Sequence, residues 1–159
     1  MSAVITEAVS WAVGIAQDDS HGYSQYTRWG PDYDCSSLVI SAYEQAGVPV
    51  KEAGATYTGN MRRAFEQCGF KAIKYGFGTV LKKGDVLLNE KHHAALYVGS
   101  GQIVQASIAE TGKISGKEGD QTTREIELRN FYIYRYGWDY ILRYEKKESE
   151  GIIVNVELK

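Results

Sequence analysis

Residues 34–46 read DCSSLVISAYEQA, and the fold is predicted outward from this stretch. Its apolar side chains recur at helical spacing, at Leu38, Val39, Ala42 and Ala46. That spacing predicts a helix over about residues 35–46, and Gly47 followed by Pro49 is a typical signal for its end. The first residue of this helix is therefore Cys35, which directly follows an aspartate.

Two further helices are predicted. Residues 4–16 place apolar side chains at helical spacing, at Val4, Ala8, Trp11, Ala12 and Ile15. A weaker pattern predicts a third helix over about residues 59–68. Residues 21–34, which precede the cysteine helix, are rich in Gly, Tyr, Ser and Asp and are predicted to form an ordered loop.

After Gly84 the sequence changes from helical patterns to short apolar runs. These runs predict strands at residues 85–89, 93–98, 102–107, 124–128 and 140–144. Residues 110–122 are polar and rich in glycine, which predicts an exposed excursion, and a further short strand is predicted at residues 152–156. Because the helices precede the strands instead of alternating with them, the order predicts an α+β fold.

Length and composition limit the classes of protein to which the chain can belong. A chain of 159 residues fits one domain, which we place at residues 1–145, with residues 146–159 as a charged tail or the start of a linker. The net charge of −2 provides no broad basic field for nucleic acid, and no apolar run is long enough for membrane insertion. The N-terminus lacks the pattern of a signal peptide, so we expect a product made in the cytoplasm.

The cysteine at the helix start is the first chemical signal. Because the N–H groups and dipole of a helix N-terminus favour an anion, the pKa of Cys35 is expected to fall from about 8.5 toward about 4–7, as in cysteine nucleophiles. An isolated cysteine is more often a small buried residue, and Cys68 keeps that interpretation. Two cysteines are too few for a disulfide framework, and the absence of metal-ligand spacings predicts no metal site.

A cysteine nucleophile requires a base, and the chain has three histidines. In the strand predicted at residues 93–98, His93 shares one face with Ala95 and Tyr97. His92 shares the more apolar face, which is expected to pack on the core. His93 is therefore favoured as the base, by a modest margin.

A third group usually orients the base through its other ring nitrogen, and the next strand offers Gln105 for this role. A glutamine amide can fix a histidine tautomer but carries no charge to stabilise an imidazolium. The glycine-rich turn at residues 99–101 leaves the register open. A two-residue loop would place Gln105 level with Leu96, on the wrong face. A three-residue loop with a glycine bulge would place it level with Ala95, on the face of His93.

Taken in order, these segments resemble a known family. The matching pieces are Tyr23, residues 34–39 (DCSSLV), residues 84–86 (GDV) and residues 93–106 (HAALYVGSGQIVQA). The ordered set, over about residues 20–107, is similar to the NlpC superfamily of papain-like cell-wall peptidases. Residues 119–122 (GDQT) and 138–144 (WDYILRY) are similar to later segments of its phage peptidoglycan hydrolases.

The resemblance implies a papain-like α+β fold, with N-terminal helices packed on a central antiparallel sheet. It also implies that Cys35 is the nucleophile, His93 the base and Gln105 the orienting residue. The third position is commonly histidine in the family, so Gln105 departs from the commonest choice. Catalysis by these groups implies no metal and no organic cofactor.

The resemblance also implies which residues bind substrate. In the family a tyrosine upstream and the residues that flank the cysteine hold the stem peptide, and by position these are Tyr23, Asp34 and Ser36. Two alternatives stay open on the residues alone. Asp34 is equally suited to be the N-cap of the helix, with or without a substrate role, and Tyr23 could simply pack.

The implied function is hydrolysis of an amide bond in the stem peptide of bacterial peptidoglycan, between γ-linked D-glutamate or D-isoglutamine and the diamino acid. A phage endolysin fits this expectation, with a separate or C-terminal cell-wall binding domain as a partner. An N-acetylmuramoyl-L-alanine amidase and a cross-bridge endopeptidase are alternatives with the same chemistry. An inactive wall-binding module and a thiol acyltransferase with a lipid-sized apolar groove are alternatives from other classes.

Overall fold

The computed structural model describes residues 2–18, 20–107 and 125–146. The helices are α1 (Ala3–Ala16), α2 (Cys35–Gln45) and α3 (Thr58–Gln67). The strands are β1 (Phe70–Lys74), β2 (Val86–Asn89), β3 (His93–Gly99), β4 (Gln102–Ala106), β5 (Ile126–Asn130) and β6 (Tyr140–Tyr144). Within the described residues, all helices precede all strands, which confirms the predicted α+β class.

One strand of the structure has no counterpart in the prediction. β1 carries two lysines in its five residues, FKAIK, so its apolar run is too short to stand out, and its pairing with β6 makes it a strand. The excursion predicted at residues 110–122 and the strand predicted at residues 152–156 lie outside the described residues, as do residues 119–122. No helix in the described part of the chain is long and apolar enough to cross a membrane.

The described strands form one antiparallel sheet in the order β1-β6-β2-β3-β4-β5. β6, the last of them in sequence, inserts between β1 and β2. β2, β3 and β4 are neighbours both in sequence and in space. β3 and β4 therefore have a strand on each side, which holds the residues at their ends in place.

Helix α2 begins at the predicted residue because Asp34 caps it. The Asp34 carboxylate accepts the Ser37 N–H at 2.8 Å, and the Ser37 hydroxyl accepts the Asp34 N–H at 2.9 Å. This reciprocal arrangement is a capping box, which satisfies N–H groups that a helix start leaves without partners. Cys35 consequently occupies the first helical position.

The sheet is covered on both faces. Helices α1 and α2 contact β3 and β4 on one face, where Leu38 and Leu96 belong to the larger apolar cluster. On the other face, Trp138 packs in a second apolar cluster with Leu87, Ala95, Ile103 and Ile141. Trp138 is the last residue of a stretch rich in aromatic side chains, residues 131–138, which we call the aromatic segment. The prediction that one face of β3 packs on a core is therefore incomplete, since Ala95, on the face of His93, is also fully buried.

Candidate active site

A cleft of about 300 Å³ lies where the start of α2 meets the start of β3 and the end of β4. Its walls include Tyr23, Cys35, His92, His93, Tyr132 and Tyr134. The fold thus brings the predicted nucleophile, on a helix, and the predicted base, on a strand far along the chain, into one cleft.

Cys35 is half-buried, and its surroundings raise the pKa of its thiol to about 11. Loss of water is the largest cause, followed by the charge of the adjacent Asp34 carboxylate. Backbone hydrogen bonds from Ala94 and Ser36 and the charge of Arg28 act in the opposite direction. The expectation of a lowered pKa is therefore wrong, because burial and Asp34 outweigh the N–H groups at the helix start. The resting group is a thiol, which needs a base to become a nucleophile.

His93 is the first residue of β3 and is only 7% exposed. Its ring stacks on Tyr134 and Trp138, with centroid distances of 5.1 Å and 5.9 Å. Burial lowers the pKa of His93, and a hydrogen bond with Gln105 acts in the opposite direction. His93 is consequently neutral at neutral pH, which is the form that can accept a proton.

The register between β3 and β4 decides the face on which Gln105 lies. Leu96 lies opposite Val104, and the pairing shifts by one residue before the glycine-rich turn. Ser100, at the centre of that turn, has a φ of 53°, in the left-handed region that non-glycine residues seldom occupy. The register is that of the alternative with the bulge, and it places Gln105 on the face of His93.

Gln105 is hydrogen bonded at both ends of its amide. Its Oε1 lies 2.8 Å from Nε2 of His93 and accepts the Tyr132 hydroxyl at 2.8 Å. Its Nε2 donates to Oε2 of Glu127, on β5, at 2.9 Å. The predicted orienting residue therefore contacts the predicted base. Tyr132 and Glu127, which sequence reasoning did not single out, contact it in turn.

His92 lies in the turn before β3 and is exposed. It does not pack on the core as strand alternation predicts, because β3 begins one residue later. Its ring stacks on Tyr136 with a centroid distance of 4.5 Å. His92 lines both the cleft and a neighbouring hollow of about 610 Å³, whose walls include Lys74 and Lys91. We call this second space the adjoining hollow.

Asp34 and Ser36, both predicted to bind substrate, are linked to Arg28. The Asp34 carboxylate accepts Nε and Nη2 of Arg28, the latter at 3.1 Å, and the Ser36 hydroxyl at 3.1 Å. Nη2 of Arg28 also donates to the Ser36 hydroxyl at 2.9 Å. Asp34 is thus an N-cap, as one of the open alternatives has it, and a substrate role for Asp34 or Ser36 remains a prediction. Arg28 lies in a loop of mixed composition, where no sequence pattern marks it.

Tyr23 both packs and lines the cleft. It belongs to the larger apolar cluster, and its backbone forms a bridge with Tyr33. Its hydroxyl accepts Nε2 of Gln25 at 3.1 Å. Burial is the main cause that raises the pKa of Tyr23 to about 12, so the phenol keeps its proton and can donate a hydrogen bond.

The aromatic segment supplies much of the second wall. Tyr134 stacks on His93, and Trp138 packs against Tyr134 with a centroid distance of 5.3 Å. Residues 131–140 read FYIYRYGWDY, so alternating aromatic residues are a visible signal. The sequence alone does not reveal that they cover the base, because that depends on how β6 inserts into the sheet.

The second cysteine lies apart from this cleft. The thiol of Cys68 contacts the carbonyl of Pro49 at 3.6 Å, and both residues line a different hollow. In the described part of the chain, His, Cys, Asp and Glu side chains form no group of three or more that could hold a metal ion.

Comparison with solved structures finds the same fold in two proteins of Mycobacterium tuberculosis. The peptidoglycan hydrolase RipB has a TM-score of 0.54 and 17% identity, over 92% of this chain and 69% of that one. Rv1477, a hypothetical invasion protein, has a TM-score of 0.53 and 17% identity, over 90% of this chain and 64% of that one. The structural similarity establishes a shared papain-like fold, and this chain spans about two thirds of the length of both proteins.

Comparison with known sequences assigns the family. No curated protein matches the chain. The endolysin-like domain model matches residues 103–157. The NlpC/P60 family model matches residues 22–128, a range that includes the cleft residues Tyr23, Cys35 and His93. The chain belongs to the NlpC/P60 family.

Proposed function

We propose that this protein hydrolyses an amide bond in the stem peptide of bacterial peptidoglycan, with Cys35 as nucleophile and His93 as base. The observation that carries the proposal is a thiol and a buried neutral imidazole in one cleft, with the imidazole hydrogen bonded to Gln105 at 2.8 Å. Membership of the NlpC/P60 family and the shared fold with the peptidoglycan hydrolase RipB support the choice of substrate.

The chemistry follows from the protonation states. His93 takes the proton of the Cys35 thiol as the sulfur attacks the amide carbonyl carbon. The carbonyl oxygen becomes an oxyanion, and a backbone N–H at the start of α2 is placed to stabilise it. The Ser37 N–H is already bonded to Asp34, and the backbone of Ser36 bonds the Cys35 thiol, so the N–H of Cys35 itself is the candidate.

Collapse of that intermediate breaks the carbon–nitrogen bond. The imidazolium of His93 gives its proton to the leaving amine, which departs and leaves a thioester on Cys35. His93 then takes a proton from water, whose hydroxyl attacks the thioester carbonyl. The acid product leaves, and the Cys35 thiol is restored with the proton held by His93.

Two features support binding of an extended peptide. The phenol of Tyr23 lines the cleft and can donate a hydrogen bond to an acceptor on the acyl side. The adjoining hollow meets the cleft at His92, next to the residue that protonates the leaving amine. We place the leaving part of the stem peptide there. Lys74 and Lys91 are available to its carboxylates, and Glu90 and Asp139 to its amines.

The bond that we propose is the one between γ-linked D-glutamate or D-isoglutamine and the diamino acid. The match of the endolysin-like domain model to residues 103–157 supports the proposal that the protein is a phage endolysin that acts on the cell wall. Digestion of purified peptidoglycan followed by mass spectrometry of the muropeptides tests the bond. Endopeptidase action at this bond frees the amine of the diamino acid, whereas amidase action frees the amine of L-alanine and cross-bridge cleavage separates dimers.

Matched cysteine variants separate catalysis from mere wall binding. Cys35→Ala should release no new amine, whereas Cys68→Ala, with the same change at a distant cysteine, should digest like the unchanged protein. Equal digestion by Cys35→Ala and the unchanged protein would contradict the proposal.

A further inference from the structure

We propose that Glu127 is a positioning residue for this reaction, which acts through Gln105 to set the tautomer of His93 and to supply the negative charge that Gln105 lacks. The inference rests on the proposed function for its kinetic consequences, while its structural claim concerns hydrogen bonds that exist without substrate. Three contacts carry it, those of Gln105 with His93, Tyr132 and Glu127.

A glutamine by itself does not specify a tautomer. Its amide presents an acceptor at Oε1 and donors at Nε2, and a half-turn about its last torsion exchanges them. With Oε1 toward His93, the histidine must carry its proton on Nε2, so Nδ1 holds the lone pair. With Nε2 of the amide toward His93, the histidine Nε2 must accept, and its proton moves to Nδ1. In the second state Nδ1 carries a proton and the lone pair on Nε2 is bonded to the amide. His93 then has no lone pair with which to accept the proton of the thiol.

Glu127 removes this ambiguity because a carboxylate only accepts hydrogen bonds. Its Oε2 lies 2.9 Å from Nε2 of Gln105, so the amide NH₂ is held toward Glu127 and Oε1 toward His93. A flipped amide would set its oxygen against a carboxylate oxygen, two acceptors without a proton between them. Tyr132 is compatible with this orientation, in which its hydroxyl donates to Oε1 at 2.8 Å, but a hydroxyl can also accept, so the carboxylate of Glu127 is the group that selects it.

Glu127 also provides negative charge to His93 through the intervening amide of Gln105. When His93 becomes an imidazolium, Oε1 of Gln105 accepts its Nε2 proton, and the far end of the amide donates to a carboxylate. Hydrogen bonds in a chain polarise one another, so the negative charge of Glu127 stabilises the imidazolium through the amide. In a Cys-His-Asp arrangement the carboxylate would contact the histidine directly, whereas here an amide stands between them.

The other charged and titratable groups near these residues come from several elements. Around His93 they are Cys35, His92, Tyr132, Tyr134 and Arg135. On β5, Arg129 lies two residues from Glu127 and its guanidinium lies 4.3 Å from the Tyr132 ring centroid. Among these groups, Glu127 is the carboxylate that contacts Gln105.

The test compares Glu127→Gln with Glu127→Asp. Gln keeps the size of Glu but can donate, so it permits the flipped amide and removes the charge. Asp is shorter but keeps an acceptor-only carboxylate. Glu127 lies half-buried on β5, which is at the edge of the sheet formed by the described strands, so we expect both variants to leave the core intact. Glu7→Gln, at an exposed position of α1, is the control for the same chemical change elsewhere.

Nitrogen-15 NMR of His93, without substrate, reads the tautomer and the pKa directly. We expect the Nε2–H tautomer in the unchanged protein, in Glu7→Gln and in Glu127→Asp. Glu127→Gln should show a mixture with Nδ1–H and a lower pKa of His93, because the imidazolium loses its stabilising charge. An unchanged tautomer and an unchanged pKa in Glu127→Gln would overturn the inference.

Kinetics give the second readout. Glu127→Gln should lower kcat by about tenfold, the lower end of the loss found when the hydrogen-bond partner of a metal-bound histidine is removed, and Glu127→Asp should retain more activity. In a Gln105→Ala background the same change should have no further effect, because Glu127 acts through Gln105. An equal loss in both backgrounds would overturn the inference. An inactive unchanged protein would instead reject the proposed function and leave the NMR test standing.

Discussion

The two halves of the candidate site are built in different ways. The helix half, Cys35 with Asp34 and Ser36, is arranged by hydrogen bonds between residues a few positions apart. The sheet half, His93 with Gln105 and its partners, joins β3, β4, β5 and the aromatic segment. Local sequence therefore determines where the candidate nucleophile lies, whereas tertiary surroundings determine the protonation state of both groups.

The largest expected effect concerns the helix half. Cys35→Ala should abolish lysis of a cell-wall suspension, because no other group in the cleft can form the thioester, while Cys68→Ala should retain it. Neither change should alter the far-ultraviolet circular dichroism, because the cap of α2 depends on Asp34 and Ser37. Persistent lysis by Cys35→Ala, measured as falling turbidity, would assign the nucleophile elsewhere.

The next largest effect concerns the sheet half. His93→Ala should reduce kcat/KM by about 10²–10⁴-fold, the usual contribution of a general acid and base. His92→Ala is the matched control and should retain most activity, because His92 is exposed and stacks on Tyr136. Rates on a soluble muropeptide with purified, folded variants decide between them. An inactive His92→Ala beside an active His93→Ala would reverse the assignment.

The pH dependence of Cys35 alkylation shows which influence dominates the pKa of the thiol, the helix start or burial. The pKa of Cys35 is raised to about 11, so its thiolate fraction should rise about tenfold per pH unit between about pH 8 and pH 10. The rate of iodoacetamide labelling at Cys35, followed by peptide mass spectrometry, should rise in step. A rate that is flat above about pH 8 would mean that the helix start dominates and lowers the pKa.

A smaller effect is expected at Gln105. Gln105→Ala should cost about tenfold in kcat, less than His93→Ala, because an uncharged orienting residue fixes geometry and tautomer while the base itself remains. Gln105→Glu is not a conservative replacement, since it would set two carboxylates together at the Glu127 contact. Steady-state kinetics on a muropeptide measure the cost. A loss in Gln105→Ala as large as that in His93→Ala would mean that Gln105 does more than orient.

The sequence is informative about the fold where patterns are local. The start of α2, the α+β order and the strands around the active site can be read from apolar spacing, glycine positions and one cap. β1 is missed because its strand character depends on pairing with β6. The buried second face of β3 is missed because the aromatic segment that covers it lies far along the chain.

The same division applies to the candidate site. Motif and strand alternation predict Cys35 and His93 as candidates, and Gln105 follows only once a register is chosen between two loop geometries. Arg28 and Glu127 carry no sequence signal of their own, and the aromatic pattern that includes Tyr132 does not reveal its contact with Gln105, since these contacts depend on tertiary packing. The direction of the Cys35 pKa is wrong for a related reason: the sequence shows the helix start but does not show how much water the fold removes from the thiol.

Covalent catalysis by Cys35 is tested most directly by mass spectrometry of the protein quenched with acid during turnover of a muropeptide, first intact and then as proteolytic peptides. We expect a covalent adduct that maps to Cys35 and has the mass of the acyl part of the stem peptide, ending at D-glutamate or D-isoglutamine. The adduct should be missing from Cys35→Ala and present in Cys68→Ala. Turnover of the muropeptide by Cys35→Ala, or an adduct that maps to another residue, would contradict covalent catalysis by Cys35.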